Sequence, residues 1–106
     1  MMPEHILDSI AKNLVATYFL MFCLTPSKGD STEIKNDGPY RIYTTQAKIP
    51  DGTVLDTEKL YQKLVEYLEQ VNDLITAPAK FYPHHIETYH CPCGCGDYLY
   101  VSLYTY

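Results

Sequence analysis

The sequence has few basic residues, and this shortage limits the classes of partner open to the protein. Only 8 of its 106 residues are Lys or Arg, against 13 Asp and Glu, so the formal net charge is −5 at pH 7. Direct binding of nucleic acid needs clustered Lys and Arg to hold the phosphates. No basic patch occurs here, so we predict no direct contact with nucleic acid. The acidic excess instead favours a basic surface of another protein, including one that normally binds nucleic acid.

No hydrophobic run is long enough to cross a bilayer. The longest, residues 14–24, would reach about 16 Å as a helix, which is roughly half of the hydrocarbon core. The first residues, Met1-Met2-Pro3-Glu4-His5, lack the basic start of a secretory signal. We therefore expect a cytoplasmic protein with no membrane segment, in which cysteine thiols stay reduced.

The catalytic motifs that a sequence can reveal are also missing. No serine stands in a nucleophile-elbow context, and neither a glycine-rich phosphate loop nor a helical H-E-x-x-H motif occurs. His84 and His85, with Glu87 nearby, could supply a general base with an orienting carboxylate, or extra metal ligands. A histidine pair beside Tyr82 and Pro83 is more typical of the start of a surface strand. We therefore expect a protein that is not an enzyme.

The composition is that of one ordinary globular domain. Hydrophobic residues make up 46% of the chain and charged residues 20%, which is typical of folded proteins. A chain of this length can bury a core without covalent staples. No repeat or linker divides it, so we predict a single domain over residues 1–106.

The N-terminal segment predicts a helix from Pro3 to about Cys23. Pro3 suits the first turn, and no other Pro or Gly follows before Pro26. The second half of this helix is apolar on nearly every side, so we expect it to be buried, with Cys23 as a small buried side chain and not a ligand. A central strand over 15–24 is the alternative, because periodicity does not separate a buried strand from a buried helix in so short a run.

The middle of the chain predicts a loop, a strand and a turn. Residues 25–39 are rich in polar residues and have no hydrophobic period, which indicates an exposed loop. Residues 40–49 alternate as a strand does, and Pro50-Asp51-Gly52 is typical of a turn.

A second helix follows, capped by Asp56 or Thr57 and stopped at Ala77-Pro78. Its apolar side chains recur at intervals of three and four residues, as in one face of a helix: Leu60, Leu64, Leu68, Val71 and Ile75. The exposed side carries acidic residues near the C-terminal end, where they oppose the helix dipole. We interpret Glu66, Glu69 and Asp73 as a candidate partner-binding stripe, with a merely solvated face as the alternative.

The C-terminal quarter predicts a hairpin, with arms near His85–His90 and over Tyr98–Thr105. Side chains alternate along a strand, so Leu99, Val101 and Leu103 fall on one face and tyrosines on the other. The resulting fold class is α+β, with two helices packed on a small antiparallel sheet and a C-terminal β-hairpin with a Cys-rich tip.

Tyrosine is unusually common, at 11 of 106 residues, and it concentrates in the last strand. Tyr98, Tyr100 and Tyr104 form a ladder that we predict to be partner-binding, because tyrosine suits interfaces. Alternatively, the ladder packs under one of the helices or against another copy of the protein in a homodimer. Stacking on unpaired bases is a weaker alternative, because no Lys or Arg stands beside the ladder to hold phosphates.

The hairpin tip, His90-Cys91-Pro92-Cys93-Gly94-Cys95-Gly96, predicts a metal site. Zinc holds four ligands in a tetrahedron, so Cys91, Cys93 and Cys95 can share one ion only if the backbone curls, as the interleaved Pro and Gly residues permit. His90 is the nearest fourth ligand, with His84, His85 and Asp97 behind it. Free thiols and a disulfide or redox pair remain as alternatives, and a second chain could also complete the site.

These features favour a small non-catalytic protein-binding module with a structural zinc in its tip. An acidic inhibitor or regulator of a larger nucleic-acid-processing or defence complex is one concrete form of it. The alternative function is a thiol- or metal-dependent enzyme centred on Cys91, Cys93, Cys95 and His90, because a catalytic metal keeps one coordination position open.

Overall fold

The protein has an α+β fold, described by a computed structural model for residues 4–26, 32–74, 80–90, 92, 94 and 96–106. The elements in chain order are α1 (Glu4–Met21), β1 (Thr25–Pro26), β2 (Glu33–Asp37), β3 (Tyr40–Ile49), α2 (Thr57–Leu74), β4 (Tyr82–His90) and β5 (Asp97–Thr105). All strand pairs are antiparallel. The sheet is four strands wide, because β1 and β2 share the edge position beside β3, followed by β5 and then β4.

This arrangement confirms the predicted fold class, two helices on a small antiparallel sheet that ends in a hairpin. The strand over residues 40–49 and the turn that follows it are also confirmed, with Thr53 N–H donating to the Pro50 carbonyl at 3.1 Å. Three residues of the predicted Cys-rich tip, Cys91, Cys93 and Cys95, lie outside the described residues.

Helix α1 buries one stripe and leaves its last turn partly exposed. Residues 15–21 are helical, so the alternative of a central strand is wrong. The buried side chains recur at helical spacing: Ala11, Val15, Tyr18 and Phe19. Leu20 and Met21 are 66% and 53% exposed, which contradicts the prediction that the whole second half is buried. Only the side of α1 that meets the sheet is covered.

A left-handed residue ends α1. Cys23 has φ 58°, Leu24 N–H donates to the Phe19 carbonyl at 2.9 Å, and Cys23 N–H donates to the Leu20 carbonyl at 3.1 Å. This pair of bonds is the Schellman pattern of helix ends. It turns Cys23 outward and Leu24 into the core, so the prediction of a buried Cys23 is wrong: its side chain is exposed.

The prediction of a loop over residues 25–39 is also wrong, because this segment contains β1 and β2. Strand β2 pairs with β3 from Glu33 opposite Thr44 to Asp37 opposite Tyr40. A two-residue turn joins the two strands, and its first residue, Gly38, has φ 60°, a conformation that favours glycine. All five side chains of β2 are exposed. An edge strand without a buried face leaves no alternation in its sequence.

Helix α2 begins and packs as predicted. The Asp56 carboxylate accepts from the backbone N–H groups of Glu58 and Lys59, at 3.1 and 3.3 Å, which is N-terminal capping. Leu60, Leu64 and Leu68 are buried. The described helix ends at Leu74, and the predicted stop at Ala77-Pro78, with Ile75, lies outside the described residues.

Both helices lie on the same face of the sheet. Helix α1 contacts β1 and β3, and α2 contacts β4. The sheet side chains in their core are mainly aliphatic, as the alternation of β5 predicted: Tyr43, Ala47, Ile49, Ile86, Leu99, Val101 and Leu103. The alternate side chains of β3, β4 and β5 therefore point away from the helices.

An ion pair ties α1 to β3. The Arg41 guanidinium donates through Nε and Nη2 to the two carboxylate oxygens of Asp8, both at 3.1 Å, and the Tyr43 hydroxyl donates to Asp8 at 2.7 Å. The guanidinium bonds lower the pKa of Asp8 against the opposing effect of burial. Desolvation raises the pKa of Tyr43 to about 12. No sequence pattern predicts this contact, because Asp8 and Arg41 lie far apart in the chain.

Candidate binding face and metal site

The face of the sheet opposite the helices, here called the open face, carries most of the tyrosines. Directly opposed strand residues share a face, and the register places Tyr104 opposite Ile42 and Tyr82, and Tyr98 opposite Lys48 and Tyr89. Seven of the eleven tyrosines of the chain lie here: Tyr40, Tyr82, Tyr89, Tyr98, Tyr100, Tyr104 and Tyr106. No helix among the described residues covers them.

The three predicted partner-binding tyrosines, Tyr98, Tyr100 and Tyr104, are half-buried on the open face. Neighbouring rings contact two of them, Tyr100 and Tyr104. The Tyr89 and Tyr100 centroids, for example, are 6.0 Å apart. The alternative that this ladder packs under a helix is wrong, because the helices cover the aliphatic face of β5 instead.

One end of the open face holds an aromatic cluster around Tyr104. The centroid of this ring lies 5.5 Å from that of Tyr40 at an interplanar angle of 87°, and 5.4 Å from that of Tyr82. The Tyr106 ring stacks on Tyr82 and Tyr104, with interplanar angles of 15° and 17°. Contacts between aromatic rings in such geometries add stability beyond the area that they bury.

A β-bulge in β4 brings His84 into this cluster. The register shifts between Pro83 and His85, so His84 is an extra residue without a direct partner, and such bulges re-aim side chains. The His84 and Tyr104 centroids lie 6.2 Å apart at 80°. A cavity of about 240 Å³ opens at this point. Its lining is mainly aromatic, with one carboxylate: Asp37, Tyr40, Ile42, His84 and Tyr104.

The predicted acidic stripe lies on the opposite side of the molecule. Glu66, Glu69 and Asp73 are all exposed. At 3.6 residues per turn they project roughly opposite to the buried leucines of α2, and therefore away from the sheet. Glu66 also forms an ion pair with Lys63 at 3.7 Å. The two sets of predicted partner-binding residues therefore form two separate surfaces.

At the hairpin tip, His90 and Asp97 form a hydrogen-bonded pair. They are the last paired residues of β4 and β5, and His90 Nδ1 lies 2.5 Å from Asp97 Oδ1. A carboxylate only accepts hydrogen bonds, so Nδ1 is the donor in this pair, and Nε2 is the ring nitrogen that could bind a metal ion. A histidine that binds a metal is commonly oriented by a carboxylate in this way.

Two described residues of the tip adopt backbone conformations that favour glycine. Gly94 and Gly96 have φ values of 82° and 120°, which L side chains rarely adopt. Among the described residues, which leave out Cys91, Cys93 and Cys95, no group of three or more His, Cys, Asp or Glu is placed to hold a metal ion.

A second cavity, of about 340 Å³, lies at the base of the tip, on the side of the sheet that carries the helices. Its lining combines the polar pair with apolar side chains, including Ile49, Val54, Leu55, Thr88, His90 and Asp97. The remaining histidine candidate is on the open face, where His85 Nε2 lies 3.3 Å from Glu87 Oε2 and both side chains are largely exposed. This matches the expected surface strand.

Four residues of the open face had not been identified as candidates: Asp37, Tyr40, Tyr82 and Tyr89. His84 had been considered only as a general base or a metal ligand. The position of these residues follows from the register of β2 with β3 and from the bulge in β4, which single-strand alternation does not reveal. The high frequency of tyrosine at both ends of the C-terminal hairpin is the sequence feature that could have indicated these positions.

Comparisons of the chain with protein-family models, with curated proteins and with solved structures found no match. No helix in the described part of the chain is long and apolar enough to cross a membrane.

Proposed function

We propose that the protein is a non-catalytic protein-binding module whose open face is the binding surface. One observation carries this proposal: both helices lie on the aliphatic face of the sheet, and seven tyrosines remain on the uncovered face. Tyrosine combines a large apolar ring with a polar hydroxyl and is enriched at protein interfaces.

The partner that fits best is a protein with basic residues. The chain carries a net charge of −5. The open face combines π-rings with three carboxylates and two lysines: Glu33, Asp37, Glu87, Lys35 and Lys48. Aromatic faces attract cations, above all arginine. A negative charge and exposed aromatic rings suit an inhibitor or regulator that occupies a basic nucleic-acid-binding surface of a cytoplasmic complex.

The acidic stripe on α2 is a second, separate candidate surface. Because Glu66, Glu69 and Asp73 face away from the sheet, a partner seated flat on the open face does not reach them. Their role is to attract a basic partner at long range or to contact a second protein.

The cysteine tip is proposed to hold a structural zinc ion through Cys91, Cys93, Cys95 and His90. Support comes from the Asp97 carboxylate, which orients His90, and from the positive φ values of Gly94 and Gly96. Zinc bound there would fix the end of the hairpin and with it one end of the open face.

The test compares two tyrosine-to-lysine variants on opposite sides of the molecule. Tyr100, in the middle of β5, lies on the open face, and Tyr61 is exposed on α2. Proteins captured from the native lysate by the wild type are identified, purified and titrated with each variant. We expect Tyr100→Lys to weaken binding at least about tenfold, as for a residue central to an interface, and Tyr61→Lys to leave it unchanged.

Two results would contradict the proposal. One is a purified partner that binds both variants as tightly as the wild type. The other is a wild-type homodimer in light scattering that Tyr100→Lys converts to monomer, because the open face would then be occupied by a second copy. Charge reversal at Glu66, Glu69 and Asp73 tests the stripe separately, and unchanged binding would remove it from the account.

The second candidate function is a thiol- or metal-dependent enzyme, and the cavity beside His90 and Asp97 favours it. A hydrogen-bonded His and Asp next to a cavity resembles the base and orienting group of nucleophilic catalysis. Single Cys→Ser variants at positions 91, 93 and 95 discriminate the two roles. A structural site loses folding stability on substitution, whereas a catalytic site loses turnover in a folded protein.

A further inference from the structure

The cavity at the end of the open face has the composition of a cation site. Two tyrosine rings, the His84 ring and the Asp37 carboxylate line it. The Tyr104 ring is close to perpendicular to the Tyr40 ring, at 87°, and to the His84 ring, at 80°, so it stacks on neither. A cation in a cavity lined by such rings can lie against one ring face.

We propose that this cavity takes an arginine or lysine side chain of the partner protein, which deepens the proposed function and rests on it. The electron-rich faces of Tyr40 and Tyr104 and the carboxylate of Asp37 all favour a positive charge. Tyr82 and Tyr106 pack against Tyr104 and hold the ring in place. Preorganised rings lose little conformational entropy on binding.

The construction of the cavity explains three local features of the chain. The bulge at residues 83–85 places His84 beside Tyr104. The two-residue turn after β2 sets Asp37 directly opposite Tyr40. Tyr106 continues past the last strand and packs on the cluster. Each feature contributes one wall or support of the same cavity.

Lys35 is the basic side chain nearest to the site in register, opposite Ile42 on the same face. A lysine beside an anion site would strengthen binding, whereas beside a cation site it weakens binding by repulsion. The Lys35→Gln variant therefore reports the sign of the ligand charge.

The experiment titrates the purified protein with N-acetyl-arginine amide and follows the backbone amides by NMR, with N-acetyl-citrulline amide as the neutral match. It is run at about pH 8, where histidine side chains are ordinarily neutral. We expect saturable shifts around residues 37, 40, 84 and 104, and binding of the citrulline probe weaker by about two- to fivefold. Lys35→Gln should strengthen arginine binding. Equal binding of the two probes, or weaker arginine binding by Lys35→Gln, would overturn the proposal.

Variants assign the site. Two variants, Asp37→Asn and Tyr104→Leu, should each weaken arginine binding by about two- to fivefold. Asp37 lies in an exposed strand, so its replacement leaves the other contacts in place. The control, Tyr98→Leu at the other end of β5, should not weaken arginine binding. Tetramethylammonium and Nα-acetyl-lysine amide, the lysine probe, are titrated in parallel. If tetramethylammonium binds and the arginine and lysine probes do not, a small organic cation is the ligand and the partner side chain is ruled out.

The two proposals fail in different ways. If the identified partner loses affinity with Tyr100→Lys but not with Asp37→Asn, the open face is the interface and the cation site is wrong. If the arginine probe binds the wild type but no partner depends on Tyr100, the proposed function is wrong, and with it the assignment of the cation to a partner.

Discussion

The Tyr18 hydroxyl of α1 donates a buried hydrogen bond to the carbonyl oxygen of Leu60 in α2, at 2.5 Å. A second bond runs in the opposite direction, from the Tyr67 hydroxyl of α2 to the Leu14 carbonyl of α1 at 2.9 Å. The two helices are therefore joined by reciprocal bonds as well as by apolar packing. Burial raises the pKa of both tyrosines, so the hydroxyls remain donors throughout the ordinary pH range.

Replacing Tyr18 by Phe should lower the free energy of unfolding by about 1 kcal/mol, the usual net value of an internal hydrogen bond. The ring stays in the core and the Leu60 carbonyl keeps its bond within the helix, so no cavity and no unsatisfied group is created. Urea unfolding measures the effect, with Tyr61→Phe on the exposed side of α2 as the control. A Tyr18→Phe variant as stable as the control would remove this bond from the account.

The Asp8 and Arg41 ion pair should make stability depend on pH. The folded-state pKa of Asp8 is lowered from 3.8. The stabilisation is therefore fully present above that value and is lost as the pH falls through the folded-state pKa. Asp8→Asn should cost about 1 to 3 kcal/mol at neutral pH, and the difference from wild type should shrink below about pH 4.

Urea unfolding at about pH 7 and about pH 3 tests this dependence. Asp51→Asn, in the exposed turn after β3, is the matched control. A difference between wild type and Asp8→Asn that is the same at both pH values would contradict the assigned role of the pair.

Cys23→Gly should stabilise the protein. Cys23 has φ 58° at the end of α1, and a left-handed conformation costs an L side chain about 1 to 2 kcal/mol. The greater flexibility of unfolded glycine offsets part of this, so we expect a net gain of about 0.5 to 1 kcal/mol. Cys23→Ser keeps the Cβ atom and separates the backbone effect from the loss of the thiol. Equal stability of the two variants would show that no strain is relieved.

The tip should bind one zinc ion per chain. Native mass spectrometry with metal analysis and a thiol count distinguishes zinc from a disulfide and from free thiols. Asp97→Ala removes the acceptor that orients His90 and should lower zinc affinity about 10- to 100-fold, whereas Asp51→Ala should not. Metal-free protein with four reactive thiols would contradict the zinc proposal and show that the thiols of the tip are free.

Some of this architecture follows from sequence because its signals are local. The three- and four-residue spacing of Leu60, Leu64 and Leu68 specifies α2, and the alternation of Leu99, Val101 and Leu103 specifies the buried face of β5. The exposed strand β2 and the bulge at His84 have no such signal, because a strand without a buried face has no hydrophobic period. The proposed cation site depends on β2 and on the bulge, and it could therefore not be predicted from the sequence alone.

The residues of the tip illustrate a different limit of sequence patterns. Their spacing predicts a curl that brings Cys91, Cys93 and Cys95 together, and this stays a prediction because the three cysteines lie outside the described residues. The pairing of His90 with Asp97 could not be predicted in the same way, because it depends on strand register. Likewise, alternation along β5 predicted that the tyrosines share one face of the strand. It could not predict which face the helices cover, because that depends on the packing of the whole core.

The central claim, that the open face is the partner-binding surface, is tested most directly by tyrosine-selective covalent labelling of the protein alone and in complex with its identified partner. Tyr40, Tyr89 and Tyr106 are exposed on the open face, and Tyr61 is exposed on α2 as an internal control. We expect the partner to protect the first three from labelling and to leave Tyr61 reactive. Protection of Tyr61 with continued labelling of the other three would contradict the claim.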